Sequence, residues 1–240
     1  MRTNRHGDLL TGTDDRWRAL CRALDRASAT RVERAAERIA SWPDAVREAP
    51  WRWLRRALAG EDLPQLRLAR LARLRGRAID DAALRRLVAS AHVCGLLALE
   101  VDGNRIGDAG AIAIARSPHL GALVVLALED NRIGDRGARA LAEARALGAL
   151  ATLNLANNRI GDAGAVAIAG GRGLPVLRNL YLEDNRITDA GARRIARLRV
   201  LARYRQLMLD GNAVTEDGYA ALRRSRFRTP GLKTGWFRTA

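Results

Sequence analysis

The chain of 240 residues carries 42 Lys plus Arg against 26 Asp plus Glu, a formal net charge of +16, with 48% hydrophobic and only 4% aromatic residues. That length and apolar content suffice for a real core in one ordinary domain or two small ones, which excludes disorder as a description of the whole chain. No apolar run approaches the ~18 to 20 residues of a membrane helix, and the opening MRTNRHGDLLTGTDDRW lacks the apolar stretch of a secretory signal.

Two cysteines, Cys21 and Cys94, and three histidines cannot build a disulfide framework or a recurrent zinc pattern. The expectation is a soluble, cytoplasmic protein without membrane contact, metal or other cofactor, in which both cysteines are small core residues. Of the basic residues 41 are Arg and one is Lys233. This bias matches the codon usage of a GC-rich bacterial genome, so the placement of charge says more than its total. Residues 1–90 hold 20 bases and 12 acids, 91–222 hold 16 and 14, and 223–240 hold six bases and no acid.

In chain order, Trp17, Leu20, Cys21 and Leu24, then Val32, Ala35, Ile39 and Trp42, recur at helical spacings and predict one or two amphipathic helices between about Asp14 and Ser41. Pro43 and Pro50 interrupt them, and Trp51, Leu54 and Leu58 predict a further short helix before Gly60. Residues 1–68 read as a helical N-terminal cap or a small independent module.

From there a repeat takes over. Asn104, Asn131, Asn158, Asn185 and Asn212 stand 27 residues apart. Leu or Tyr lies eight residues before each, Leu five before, Val or Leu three before, Ile or Val two after and Gly six after. The frame L-x-x-L-x-L-x-x-N-x-I-x-D-x-G-A runs five times between Leu96 and Leu222, preceded by a degenerate unit with Leu74, Ile79 and Asp81 in frame and Arg77 in place of the asparagine. Leucines alternating at minus five and minus three point to one face of a short strand. The acids that follow, Asp108, Asp135, Asp162, Asp189 and Glu216, suit the start of a helix, where a side-chain oxygen caps open N–H groups.

This pattern resembles the leucine-rich repeat, in particular its ribonuclease-inhibitor-like class. The resemblance implies an α/β solenoid: a horseshoe arc with parallel strands on the concave side and helices on the convex side, covering residues 69–222 as one degenerate plus five regular units. The five asparagines would form a structural ladder that satisfies backbone groups of adjacent coils.

The concave surface can then be written as rows. Ala98, Val125, Thr152, Asn179 and Gln206 occupy minus six, and Glu100, Ala127, Asn154, Tyr181 and Met208 minus four. Asp102, Glu129, Ala156, Glu183 and Asp210 occupy minus two, and Gly103, Asp130, Asn157, Asp184 and Gly211 minus one. Tyr181 and Met208, flanked by Asn154, Asn179 and Gln206 and rimmed by Glu100, Asp102, Glu129, Asp130, Glu183, Asp184 and Asp210, form the expected recognition patch, since interface cores favour aromatic and Met anchors in a polar rim. The plainer reading makes Tyr181 a good strand former on an exposed sheet. Arg105, Arg132, Arg159 and Arg186 follow the asparagines and read as a salt-bridged edge.

Residues 223–240 form a basic C-terminal cap or tail. There Arg223, Arg224, Arg226, Arg228, Lys233 and Arg238, interleaved with Phe227, Trp236 and Phe237, suit either phosphates and unpaired bases or the sealing of the last coil. No phosphate loop, nucleophile elbow or H-E-x-x-H occurs, and the acidic pairs Glu129-Asp130 and Glu183-Asp184 lie two coils apart, too far to converge on one reacting atom. The sequence therefore predicts a non-enzymatic scaffold or adaptor that binds another protein through the concave face or flanks, without a small-molecule substrate. The alternative is a nucleic-acid-associated subunit acting through its Arg-rich flanks.

Overall fold

A computed structural model describes residues 15–39 and 47–226. Six three-residue strands, β1 (Leu71–Arg73), β2 (Ala98–Glu100), β3 (Val125–Ala127), β4 (Thr152–Asn154), β5 (Asn179–Tyr181) and β6 (Gln206–Met208), form one parallel sheet in sequential order. Each register step joins residues one repeat apart: Leu71 pairs with Ala98, Leu99 with Leu126, and Tyr181 with Met208. The degenerate unit thus supplies β1. A helix follows every strand: α4 (Asp81–Ala89), α5 (Asp108–Arg116), α6 (Asp135–Ala142), α7 (Asp162–Ala169), α8 (Asp189–Ala196) and α9 (Glu216–Arg223), each packed on the next. Glycine and alanine at the first buried positions of α5 to α8 let neighbouring helices approach closely.

The leucine columns close the core between sheet and helices, and Leu99, Leu126, Leu153, Leu180 and Leu207 are fully buried. Tyr204 occupies a position held by leucine in the other coils and satisfies its hydroxyl by donating to the carbonyl of Ala169 at 2.8 Å. A column eleven residues before each asparagine, Val93, Leu120, Leu147, Leu174 and Leu201, is equally buried, although the repeat frame above omits it.

The asparagines of successive coils form a hydrogen-bonded column. Asn158 Nδ2 lies 2.9, 3.1 and 3.0 Å from the carbonyls of Leu128, Leu155 and Ala156, while its Oδ1 accepts the Ile133 N–H at 2.9 Å. One side chain therefore ties its own turn to the preceding coil, and Asn104, Asn131, Asn185 and Asn212 repeat the pattern. Where Arg77 replaces asparagine, the guanidinium lies 4.6 Å from the ring centre of Trp51 instead.

The aspartates depart from the expected helix caps. Asp81, Asp108, Asp135, Asp162 and Asp189 accept N–H bonds at 2.7 to 2.8 Å from Gly107, Gly134, Gly161, Thr188 and Thr215, each in the following coil. They sit at the first helical residue, and this second ladder staples helix starts together across coils. For Asp189 the Thr215 hydroxyl and N–H hold the carboxyl below its usual range.

At the N-terminal end lie α1 (Asp15–Ala23), α2 (Ala29–Ile39) and α3 (Trp51–Leu58). Trp17, Cys21, Leu24, Val32, Ala35 and Ile39 are buried as the helical spacing predicts, whereas Trp42 lies outside the described residues. In α3 the buried tryptophan is Trp53, which meets Trp17 edge to face at 6.2 Å, and Trp51 is 36% exposed. Asp25 organises this end, accepting from Trp53 Nε1 at 2.9 Å and Arg52 Nε at 2.6 Å. Glu48 forms a parallel bridge to Leu71 ahead of α3, so the segment before β1 imitates one more strand-and-helix coil and covers the first edge of the sheet. Cys21 is buried, its thiol pushed up to about 12 by desolvation, but Cys94 is exposed, because it follows the inward Val93 in the turn leading to β2.

Candidate protein-interaction surface

The sheet face turned away from the helices is built by the residues between the leucines. Its central row is far less exposed than strand alternation suggests: Glu100 is 9% exposed, Ala127 8%, Asn154 7%, Tyr181 9% and Met208 6%. Strands packed at ~4.8 Å bring these side chains into mutual contact. Tyr181 donates its hydroxyl to Gln206, Asn179 donates to Thr152 Oγ1 at 3.2 Å, and Asn154 donates to Glu129 Oε2 at 2.9 Å. Tyr181 and Met208 are consequently interlocked parts of the face and not protruding anchors.

The residues at minus one take positive φ: Asp130 at 54°, Asn157 at 48° and Asp184 at 51°, alongside Gly103 and Gly211. The turn out of each strand needs the left-handed conformation, which Gly, Asn and Asp adopt most readily. Asp130 and Asp184 thus have a backbone reason for their identity.

The minus-two row carries the charge. At its N-terminal end Arg75 Nε lies 3.0 Å from Glu100 and 2.9 Å from Asp102, and Arg73 joins Glu100 to Glu48. Asp102 also accepts the Glu129 N–H at 2.9 Å, yet burial raises its carboxyl to about 6. Further along, Glu129 and Glu183 pair with no arginine among the described residues. Burial raises Glu183 to about 7, with Asp210, Glu129 and Asp184 adding repulsion, and its Oε2 is buried without a hydrogen-bond partner. Glu129 acts on Glu183 across two coils, so the acidic pairs judged separate from their spacing share one field. Tyr219 of α9, a site residue that the strand-by-strand reading missed, hydrogen-bonds Asp210, and burial first and then Asp210 raise its phenol to about 12.

The arginine column does not form the expected salt-bridged edge. Arg105, Arg132, Arg159 and Arg186 are exposed and make no ion pair among the described residues. Asp108, Asp135 and Asp162 are committed to the helix starts, which removes them as partners. Of the basic tail, Arg223 pairs with Glu216, and Arg224 and Arg226 are exposed; Phe227, Arg228, Lys233, Trp236, Phe237 and Arg238 lie outside the described residues. Among the described residues no helix is long and apolar enough to cross a membrane.

Comparison with protein families agrees with this architecture. A family model described as Leucine Rich repeat matches residues 96–115, 123–142, 150–169 and 173–196. Among solved structures, an internalin (inlF) from Listeria monocytogenes is similar with 19% identity and a TM-score of 0.47, over 74% of this chain and 50% of that one. The leucine-rich repeat domain of APL1 follows with 19% identity and 0.43, over 70% and 38%, and an internalin C2 (inlC2) from Listeria monocytogenes with 17% and 0.39, over 77% and 90%. The chain spans half of the first internalin's length. No curated protein matches it in sequence. Five periods of one frame, stacked coil on coil in a single parallel sheet and matched four times by the family model, show that the chain carries leucine-rich repeats.

Proposed function

We propose that the chain is a non-enzymatic adaptor that holds a basic segment of another protein against the inner face of its sheet, over β3 to β6. Leucine-rich repeats are generally protein–protein interaction scaffolds, and solenoids of this kind use the extended concave surface. The supporting observation is Glu183, with a buried, unpartnered carboxylate oxygen and the charges of Glu129, Asp184 and Asp210 around it. A guanidinium or ammonium set among these groups would pair the orphaned oxygen and relieve their repulsion. Asn179 and Gln206, half-buried on the same face, supply amides beside the acids for the partner's backbone.

Fluorescence anisotropy with labelled extended peptides tests this reading. An Arg/Lys-rich peptide should bind the full chain, its acidic counterpart should not, and Glu129→Gln with Glu183→Gln should weaken the complex about tenfold or more, the scale of truncating one side of a desolvated charge pair. Equal affinity of the double variant and the parent would remove the inner face from the interface.

A further inference from the structure

Arg145, Arg172 and Arg199 also recur 27 residues apart, on the opposite edge of the solenoid, where each helix hands over to the next strand, and Arg226 keeps the period after α9. The segments 116–124, 143–151, 170–178 and 197–205 carry eight arginines and one acid, Glu143, whereas the strand-to-helix segments 100–108, 127–135, 154–162 and 181–189 carry ten acids and four arginines. The near-neutral total of the repeats therefore conceals two edges of opposite character. On the basic edge Arg116, Arg145, Arg172, Arg197, Arg199 and Arg205 are exposed and form no ion pair among the described residues. Further toward the N-terminus its bases are answered, Arg67 by Glu33 and His92 by Asp62, so open charge is concentrated in the later coils.

Between Arg145 and Arg172 the edge is recessed into an open cleft of ≈ 740 Å³, bounded also by Arg139, Glu143 and Ala142. Its floor is backbone: a Cβ on Gly171 would lie 2.9 Å from the Ala142 carbonyl oxygen, and one on Gly173 2.7 Å from the Ala144 nitrogen, so the chain runs flush against the previous coil. The negative ends of α6 and α7 face this region and call for cations. Arg203 answers that demand directly by donating to the Gly171 carbonyl at 3.2 Å, while the side chains of Arg145, Arg172 and Arg199 have no acceptor among the described residues.

We propose that this edge, through Arg145, Arg172 and Arg199, holds the sugar–phosphate backbone of a nucleic acid. One guanidinium per coil repeats at a distance between the ~4.8 Å of strands and the ~8 to 10 Å of packed helices, which suits a linear polyanion better than a single phosphate. An acidic protein partner would bring an apolar interface core, and the large apolar residues exposed on these segments, Val124 and Val176, stand two coils apart among eight arginines, whereas contact with nucleic acid is strongly cationic and polar. Guanidinium forks match phosphate oxygens in pairs. The inference rests on a different surface from the inner-face reading and stands or falls separately.

The test measures binding of the full chain to a labelled random single-stranded DNA of about 20 nucleotides across a salt series, with polyglutamate as a second anion. Arg145→Ala, Arg172→Ala and Arg199→Ala combined should weaken binding about tenfold or more and lower the salt slope by about 2, at ~0.7 per lost contact. Arg105→Ala, Arg132→Ala and Arg159→Ala combined remove the same charge from the other edge and should leave both values close to the parent. All six arginines are exposed, so both variants should fold, which circular dichroism melts check. Equal losses in the two triples, no DNA binding by the parent at low salt, or polyglutamate binding as tightly as DNA would each overturn the assignment.

Discussion

Asn158 joins two coils through a side chain that is 8% exposed. Removing its amide leaves the Ile133 N–H buried without its partner, at about 1 to 3 kcal/mol, while the Leu128 carbonyl keeps its bond from Asn131 Nδ2. Asn158→Ala should therefore shift the denaturation midpoint well below the parent, whereas Arg159→Ala, one residue on and exposed without an ion pair, should stay within about 0.5 kcal/mol. Equal midpoints for the two variants would remove the ladder from the stability argument. The asparagine role was legible because each residue repeats an identical local demand. The state of Tyr181 and Met208 was not, since alternation assigns a side chain to a face but cannot say whether its cross-strand neighbours cover it. Replacing both with alanine would now be expected to disturb the face itself as well as any partner.

At the scale of elements, the 27-residue spacing located every repeat strand and helix, and the same period aligned β1 despite the missing asparagine. What it concealed was contact between coils. The glycine six residues after each asparagine looks like a helix-start preference, yet a Cβ on Gly164 would fall 2.5 Å from Asp135 Oδ1 and 2.8 Å from the Asp135 Cα of the preceding coil. That aspartate cannot withdraw without releasing the Gly161 N–H, which it accepts at 2.7 Å. Gly164→Ala should thus cost about 1 to 3 kcal/mol, the range for overpacking a tight interior. Gly148→Ala is the matched control, its Cβ meeting the Arg145 carbonyl oxygen at 3.6 Å, ordinary van der Waals contact. Denaturant melts of the two variants separate an inter-coil packing constraint from general intolerance of alanine. Glycine and aspartate were each visible in the frame, but their pairing spans 29 residues and exists once the coils stack.

Across the whole molecule, stacking turns each repeated residue into a column, so small charge choices per coil become edges and faces of one sign. Counting charges by segment reported the repeats as nearly balanced and missed this separation, although the arginine period was present in the chain. On the inner face the same accumulation works against the fold as carboxylates ionise. Glu183, raised from 4.5 to about 7, and Asp102, raised from 3.8 to about 6, bind protons more tightly in the folded than in the unfolded state. Between those values the folded chain holds more protons, so both groups make stability fall as pH rises, with Glu183 acting from about 4.5 to about 7. Asp25 and Asp189 are shifted the other way and lose their contribution as pH falls below the ordinary Asp range of about 3.8, outside this window. Glu183→Gln keeps the shape and removes the titration. The melting temperature of the variant relative to the parent should therefore increase steadily from pH 4.5 to pH 7.5 and level off above it. A basic peptide that occupies the inner face should shrink this difference at pH 7.5 by stabilising the ionised parent, through binding linkage that the variant shares less. A difference that stays constant with pH would mean that Glu183 is solvated like any surface carboxylate, and the crowded acidic face would lose its part in recognition.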